Sequence, residues 1–93
     1  ATTMKHSLKL PEFDLLIEIA LYMDISNKWH FKLAIWQGSV CTQDSINPLF
    51  STSSQALAAA LVYLAFQAAS YPSPARIAIE RWSKQKLKTG IIN

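Results

Sequence analysis

The stretch Trp29–Gln37, with the sequence WHFKLAIWQ, alternates between apolar and polar residues more regularly than any other part of the chain. Successive side chains of a β-strand point to opposite faces. One face of this segment would therefore carry Trp29, Phe31, Leu33 and Ile35. The other face would carry His30, Lys32, Ala34 and Trp36. One apolar face and one half-polar face are typical of a strand in a sheet that helices cover on one side.

The residues after this strand predict a short hairpin. Gly38-Ser39 supplies a turn, Val40-Cys41-Thr42 fits a short return strand, and Gln43–Pro48 is expected to be a loop. A hairpin of two strands is marginally stable in water. Helices from the rest of the chain must therefore cover it, or a strand from another chain must extend it.

Three helices are predicted around the hairpin. Pro11 suits a first helical turn, and apolar residues follow it at helical spacing. Thr52-Ser53-Ser54-Gln55 fits a capping box, and Ser73-Pro74 fits a cap followed by a first-turn proline. The predicted helices cover about 11–23, 52–69 and 73–88.

The expected fold is therefore one small α+β domain in which three helices cover a short antiparallel β-hairpin, in the order α-β-β-α-α. The domain spans residues 11–93, and residues 1–10 are expected to be an N-terminal tail or a short edge segment. A length of 93 residues supports one core and is too short for two. Apolar residue types make up 51% of the chain, which excludes a disordered protein, and the lone Cys41 excludes an internal disulfide scaffold.

The second helix is expected to be central to the domain, because Ser45–Ala75 contains no charged residue. Without a charged stripe for solvent, this helix should be covered on several sides, with Ala59, Ala60 and Leu64 at its contacts. Its longest apolar run, Ala56–Phe66, is about half the roughly 20 residues that a membrane span needs. No membrane association is expected. One free cysteine and no visible secretory signal favour the cytoplasm.

No set of residues in the sequence indicates catalysis, a metal or a cofactor. His30 and Cys41, with Asp44, are the one combination that nucleophilic catalysis could use, and Cys41 is more simply interpreted as a small packed side chain. There is no CxxC, HxH or HExxH motif, and two glycines, Gly38 and Gly90, cannot build a phosphate loop. We expect a protein that is not an enzyme and has no cofactor and no metal.

The positive charge of the chain is concentrated near its end. The formal net charge is +3, and five basic residues but only Glu80 lie between Arg76 and Lys88. Arg81, Lys84 and Lys88 fall on one helical face, whereas Arg76 and Glu80 are spaced as an i,i+4 pair. The face can be a solvated surface, a phosphate-binding surface or a site for an acidic protein.

The segment Asn47-Pro48-Leu49-Phe50-Ser51-Thr52 and the alanine-rich helix after it resemble the helix entry of the phage ABA-sandwich domain proteins. The segments Phe13–Met23 and Ala75–Leu87 resemble the opening and closing helices of that family. The resemblance implies helices on both sides of a short sheet, and a phage or mobile-element protein that acts by binding a host protein. The resemblance identifies no functional-site residue in this chain.

These observations predict a small non-enzymatic protein that binds another protein, as an adaptor or inhibitor does. Trp is enriched at interface hot spots, and Trp36 shares its predicted face with Lys32. The candidate partner-binding residues are Trp36, Lys32, Arg81, Lys84 and Lys88. The sequence also leaves open the possibility of a homodimer that forms across a strand edge.

The alternative is a weak, sequence-indifferent nucleic-acid-binding module that uses Arg81, Lys84, Lys86 and Lys88. A small enzyme that uses Cys41 is a third hypothesis.

Overall fold

Four strands form one antiparallel sheet in the computed structural model. The structure describes the backbone of residues 3–45 and 49–92, and it describes the side chains of residues 3–43 and 49–88. Each strand pairs with its neighbour in sequence, so the spatial order is β1-β2-β3-β4. Two helices follow the sheet in the chain. The elements are β1 (Thr3–Leu10), a 3-10 turn (Pro11–Phe13), β2 (Leu15–Met23), β3 (Trp29–Gln37), β4 (Val40–Ser45), α1 (Ser53–Ala68) and α2 (Ser73–Ile92).

The predicted fold of three helices over a two-stranded hairpin is wrong, because the order is β-β-β-β-α-α rather than α-β-β-α-α. The first predicted helix is the source of the error. Only Pro11–Phe13 is helical, and Asp14 ends that turn with a left-handed φ of 55°. Leu15–Met23 then forms β2. This segment, LLIEIALYM, satisfies both helical and strand periodicity, and pairing with strands on both sides favours the extended form.

The first residues of the chain, expected to be a tail or a short edge segment, contribute an edge strand. β1 pairs with β2 over its whole length, from Thr3 opposite Tyr22 to Leu10 opposite Leu15. Its polar composition fits this place, because an edge strand packs against fewer neighbours than a central one.

The predictions for the middle of the chain are largely confirmed. β3 has the predicted bounds, and Gly38-Ser39 is the predicted turn, with Gly38 at a φ of +62° that favours glycine. β4 is longer than expected and extends through Ser45, while residues 46–48 of the expected loop lie outside the described residues.

Both remaining helices begin where the sequence predicts. The Thr52 hydroxyl caps α1 by accepting a hydrogen bond from the Gln55 N–H (3.1 Å). The Gln55 side chain reaches back to the N–H of Ser51 (3.0 Å), one residue before the cap. α2 begins at Ser73 and continues through Gly90, where the sequence predicted a stop.

The core lies between the sheet and the two helices, which cover a single face. α1 packs on β3 and β2, and α2 packs on α1 and β1. As predicted, Ala60 and Leu64 are fully buried, and Ala59 packs against the core. The sheet contributes Leu15, Ile17, Ile19, Leu21, Phe31, Leu33 and Ile35 to the core.

The expectation that α1 is covered on several sides is wrong. Val62, Tyr63 and Phe66 expose 54%, 38% and 74% of their surfaces. An uncharged helix therefore presents an apolar surface to solvent. None of the described helices combines the length and apolar character that crossing a membrane requires.

Candidate functional site

The face of the sheet opposite the helices, here called the open face, has no covering element among the described residues. The strand register orders its side chains in rows. One row holds Lys9, Leu16, Trp36 and Cys41, and the next holds Ser7, Glu18, Ala34 and Gln43. The following rows hold Lys5, Ala20 and Lys32, and then Thr3, Tyr22 and His30. Ala20 and Ala34 thus lie between Tyr22 and Trp36. These two aromatic residues are six strand positions apart, which corresponds to about 20 Å at 3.4 Å per residue.

Trp36 is the large apolar side chain that the open face exposes most. It retains 37% of its surface, although it lies on an inner strand between Leu16 and Cys41. Beside it lies a cleft of about 300 Å³. The cleft is lined by Lys9, Pro11, Asp14, Leu15, Leu16, Trp36 and Gly38. The indole therefore forms one wall of a small, mainly apolar cavity with charged groups at its rim.

The charges of the open face are predominantly positive. Lys5 and Glu18 form an exposed ion pair with an Nζ–Oε2 distance of 3.5 Å. Lys9 and Lys32 are exposed, and neither has an ion-pair partner among the side chains that the structure describes. Two lysines therefore remain for an anionic partner, one in the row of Trp36 and one two rows away.

The far end of the open face is fixed by polar contacts. The Asp24 carboxylate accepts hydrogen bonds from His30 Nε2 (2.6 Å), the Ser26 hydroxyl (2.6 Å) and the N–H groups of Ser26 and Lys28. These bonds, that from His30 above all, hold the pKa of Asp24 well below its usual range. The His30 ring also stacks on Tyr22 with a centroid distance of 5.2 Å. The cluster closes the turn between β2 and β3 and orients the ring of Tyr22.

The basic residues predicted on the last helix lie on a separate surface. Arg81, Lys84 and Lys88 are exposed on one stripe of α2 together with Ile77. Glu80 pairs with Lys84 (3.2 Å) rather than with Arg76, whose guanidinium donates to Ser73 Oγ (2.9 Å). The expected Arg76–Glu80 pair is therefore replaced by one that neutralises part of the stripe.

Lys86 does not belong to this stripe. Its ammonium lies 5.9 Å from the centroid of the Trp82 ring, which packs into the core. Of the four residues in the nucleic-acid hypothesis, three therefore share a surface and Lys86 does not.

The predicted partner-binding residues are thus divided between two sides of the molecule. Trp36 and Lys32 share the open face, whereas Arg81, Lys84 and Lys88 lie on the outer side of the helix layer. The sequence reasoning missed Lys9, Leu16 and Tyr22 as neighbours of the predicted site. The alternation of Leu15–Met23 was the signal that could have found two of them.

The residues of the catalytic hypothesis are not brought together. Cys41 pairs with Trp36, six residues along β3 from His30, which corresponds to about 20 Å of strand. The His30 ring is engaged by Asp24, and the Asp44 side chain lies outside the described ones. No cluster of three or more metal-ligating side chains occurs in the described part of the chain.

A groove of about 430 Å³ runs between the outer sides of the two helices. α1 contributes small and branched apolar side chains, and Arg76 and Glu80 lie on the α2 side. The groove is a feature of helix packing, because small alanines leave space where two helices meet.

Comparison with known proteins identifies no relative of this chain. No family model, no curated protein and no solved structure matches this chain. The resemblance to the phage ABA-sandwich domain proteins therefore stays a prediction, and the function is inferred from the surfaces alone.

Proposed function

We propose that this protein is a small non-enzymatic binding protein that uses its open face to hold another protein. The observation that carries the proposal is the exposure of Trp36, on an inner strand of the sheet, beside a cleft. Exposed tryptophans next to pockets are frequent hot spots of protein interfaces.

The geometry of the open face suits a polypeptide better than a small substrate. Its middle rows combine Ala20 and Ala34 with charged side chains, and aromatic rings lie towards the two ends at Tyr22 and Trp36. Trp36 beside a mainly apolar cleft, with charged side chains around it, resembles the core and rim of a protein interface.

The charges of the face define the partner. Lys9 and Lys32 are available, while Lys5 is balanced by Glu18. We infer an acidic segment of another protein, with one apolar side chain that enters the cleft beside Trp36. A host protein, expected if the chain is phage-encoded, is one such partner, and its compartment would be the cytoplasm expected from the sequence.

The proposal is tested by affinity capture with matched variants. The tagged wild-type protein, Trp36→Ala, Lys32→Glu and the control Ile77→Lys are each incubated with a lysate of cells that express the protein. We expect one acidic protein that wild type and control retain and that both open-face variants lose. The retained protein is then purified and its affinity for all four measured. If both open-face variants retain it as strongly as wild type does, the open face is not the binding site.

A second candidate function rests on the three cations that α2 exposes on one stripe, Arg81, Lys84 and Lys88. Such a stripe would contact phosphates without reading sequence, and its affinity would fall steeply with salt. The test is fluorescence anisotropy of a labelled single-stranded oligonucleotide at about 50 mM and 200 mM salt. The triple variant to glutamate should abolish the signal, whereas Trp36→Ala should not. Undetectable binding at the lower salt concentration would exclude this function.

A further inference from the structure

The groove between the outer sides of α1 and α2 has one wholly apolar wall and one mixed wall. The α1 wall contains only alanine, leucine and valine side chains, because α1 carries no charged residue. The α2 wall begins with Arg76 and Glu80 and continues with Ile79, Ser83 and Leu87. The charged groups of the groove therefore all belong to α2.

The groove is long and has a buried floor. Its lining extends from Ala58 to Ala69 on α1 and from Arg76 to Leu87 on α2, which is about 16 Å at 1.5 Å per residue. Its volume of about 430 Å³ lies within the range of about 300–1,000 Å³ that is usual for small-molecule sites. The buried side chains of its lining are Leu61, Ala68 and Ile79.

The two ends of the groove differ in polarity. A short connection joins α1 to α2, and helices joined in this way pack as antiparallel neighbours. Ala69 and Arg76 therefore lie at the end beside the connection, whereas Ala58 and Leu87 lie at the far end. The groove thus has a cationic group at one end and an apolar far end.

The charge of Arg76 is available to an anion. Its guanidinium donates a hydrogen bond to Ser73 Oγ (2.9 Å), and no carboxylate pairs with it among the described side chains. A guanidinium has five N–H donors, so donors remain for a ligand. Glu80, the carboxylate of the same wall, is balanced by Lys84 with an Nζ–Oε1 distance of 3.2 Å.

We propose that the groove binds a fatty acid of medium chain length. The carboxylate pairs with the guanidinium of Arg76, and the alkyl chain follows the uncharged α1 wall towards Leu87. Charge complementarity at one end and apolar contacts along the rest match the two parts of such a molecule. The groove lies on the outer side of the helix layer, so this inference does not depend on the proposed function of the open face.

Other occupants fit the groove less well. An α-helix with its side chains is 10–12 Å across, so a helical segment as long as the groove has a volume of roughly 1,300 Å³. That is about three times the volume of the groove, so a partner helix would lie above it and insert only side chains. A second copy of this chain would bring two sets of α2 cations together beside the groove.

The test is isothermal titration calorimetry with dodecanoate below its micellar concentration. We expect one molecule per wild-type chain, and at least tenfold weaker binding by Arg76→Gln. The control Arg81→Gln removes the same charge from the same helix outside the groove, and its affinity should stay within twofold of wild type. Dodecylammonium has the same chain and the opposite charge, so wild type should bind it at least tenfold more weakly.

Ala65→Trp fills the groove and should abolish dodecanoate binding. Ala65 is exposed, so folding is retained and is checked by circular dichroism. A ¹³C-methyl spectrum of the wild type provides a measurement that needs no variant. We expect the methyl signals of Val62 and Leu87 to shift with dodecanoate and those of Leu16, on the open face, to stay in place.

Several results would overturn the proposal. These are no binding at about 1 mM, several molecules bound per chain, equal losses in Arg76→Gln and Arg81→Gln, or unchanged binding by Ala65→Trp. If dodecanoate does not bind and Ala65→Trp instead prevents capture of a protein, the groove is a protein-docking surface and the proposal is wrong. Trp36 and the open face take no part in the titration, so its failure would leave the proposed partner binding untouched.

Discussion

Truncation of Leu64 tests how the helix layer is held on the sheet. Leu64 is 0% exposed and lies in α1 where that helix packs against β2 and β3. β2 and β3 each pair with a strand on both sides, which holds the sheet beneath α1 in place. The backbone therefore cannot move far into the cavity that Leu64→Ala creates. The usual cost of such a truncation is 2–5 kcal/mol, and we expect about 3 kcal/mol here. A domain of this size has a total stability on the order of 5–10 kcal/mol.

Thermal unfolding followed by circular dichroism at one protein concentration measures this effect. For a domain of this length 1 kcal/mol shifts the melting temperature by about 4–8 °C, so Leu64→Ala should lower it by at least about 12 °C. Ala60→Leu should also destabilise, by about 1–3 kcal/mol, because its fully buried site has no room. The control Ile77→Ala, at a half-exposed position outside the core, should change little. If Leu64→Ala melts within 2 °C of this control, the packing described for α1 is wrong.

Three further predictions concern local contacts. Thr52→Ala removes the cap of α1 and should cost about 1 kcal/mol in urea unfolding, whereas Thr52→Ser should retain most of the stability. Hydrogen bonds from His30 and the other donors lower the pKa of Asp24 in the folded protein. Asp24 therefore stabilises the fold above its unfolded-state pKa of about 4, and this stabilisation is lost as the pH falls below that value. Asp24→Asn should flatten the acid end of the stability–pH curve, and an unchanged slope below pH 4 would contradict this role. Burial, with the Lys86 charge, lowers the pKa of His6, whose buried Nε2 has no hydrogen-bond partner among the described residues. The free energy of unfolding should therefore fall as pH drops below about 6.5. His6→Leu should be more stable than wild type in urea at pH 5, and equal or lower stability would refute this.

The parts of the fold that the sequence predicted correctly are those with strong local signals. Alternation over nine residues identifies β3, Gly38 identifies the turn, and the Thr52 cap with five alanines after it identifies α1. Each signal acts within a few residues, so it can be interpreted without the rest of the chain. The same is true of the start of α2 at Ser73.

β1 and β2 were missed because their conformation depends on distant partners. In Leu15–Met23 nearly every residue is apolar, so helical and strand periodicity are both present. The choice is made by hydrogen bonds to β1 and β3, and tertiary pairing of this kind overrides local propensity. β1 has little apolar periodicity of its own, and its strand form follows from its register with β2.

The candidate site was predicted in part for the same reason. The alternation of β3 correctly placed Trp36 and Lys32 on one face, and the helical spacing correctly placed Arg81, Lys84 and Lys88 on another. Their separation could not be predicted, since it depends on which face of the sheet the helices cover. The neighbours of Trp36 in β1 and β2 became visible only with the sheet register.

The most direct test of the proposed open-face site is a ¹⁵N correlation spectrum of the three tryptophan indole N–H groups, recorded with and without the captured partner. Trp29 and Trp82 pack with the core, whereas Trp36 lies on the open face. We predict that the Trp36 indole signal shifts or broadens on titration while that of Trp82, in α2, stays in place. A titration that moves the Trp82 signal and leaves that of Trp36 unchanged would contradict binding at the open face.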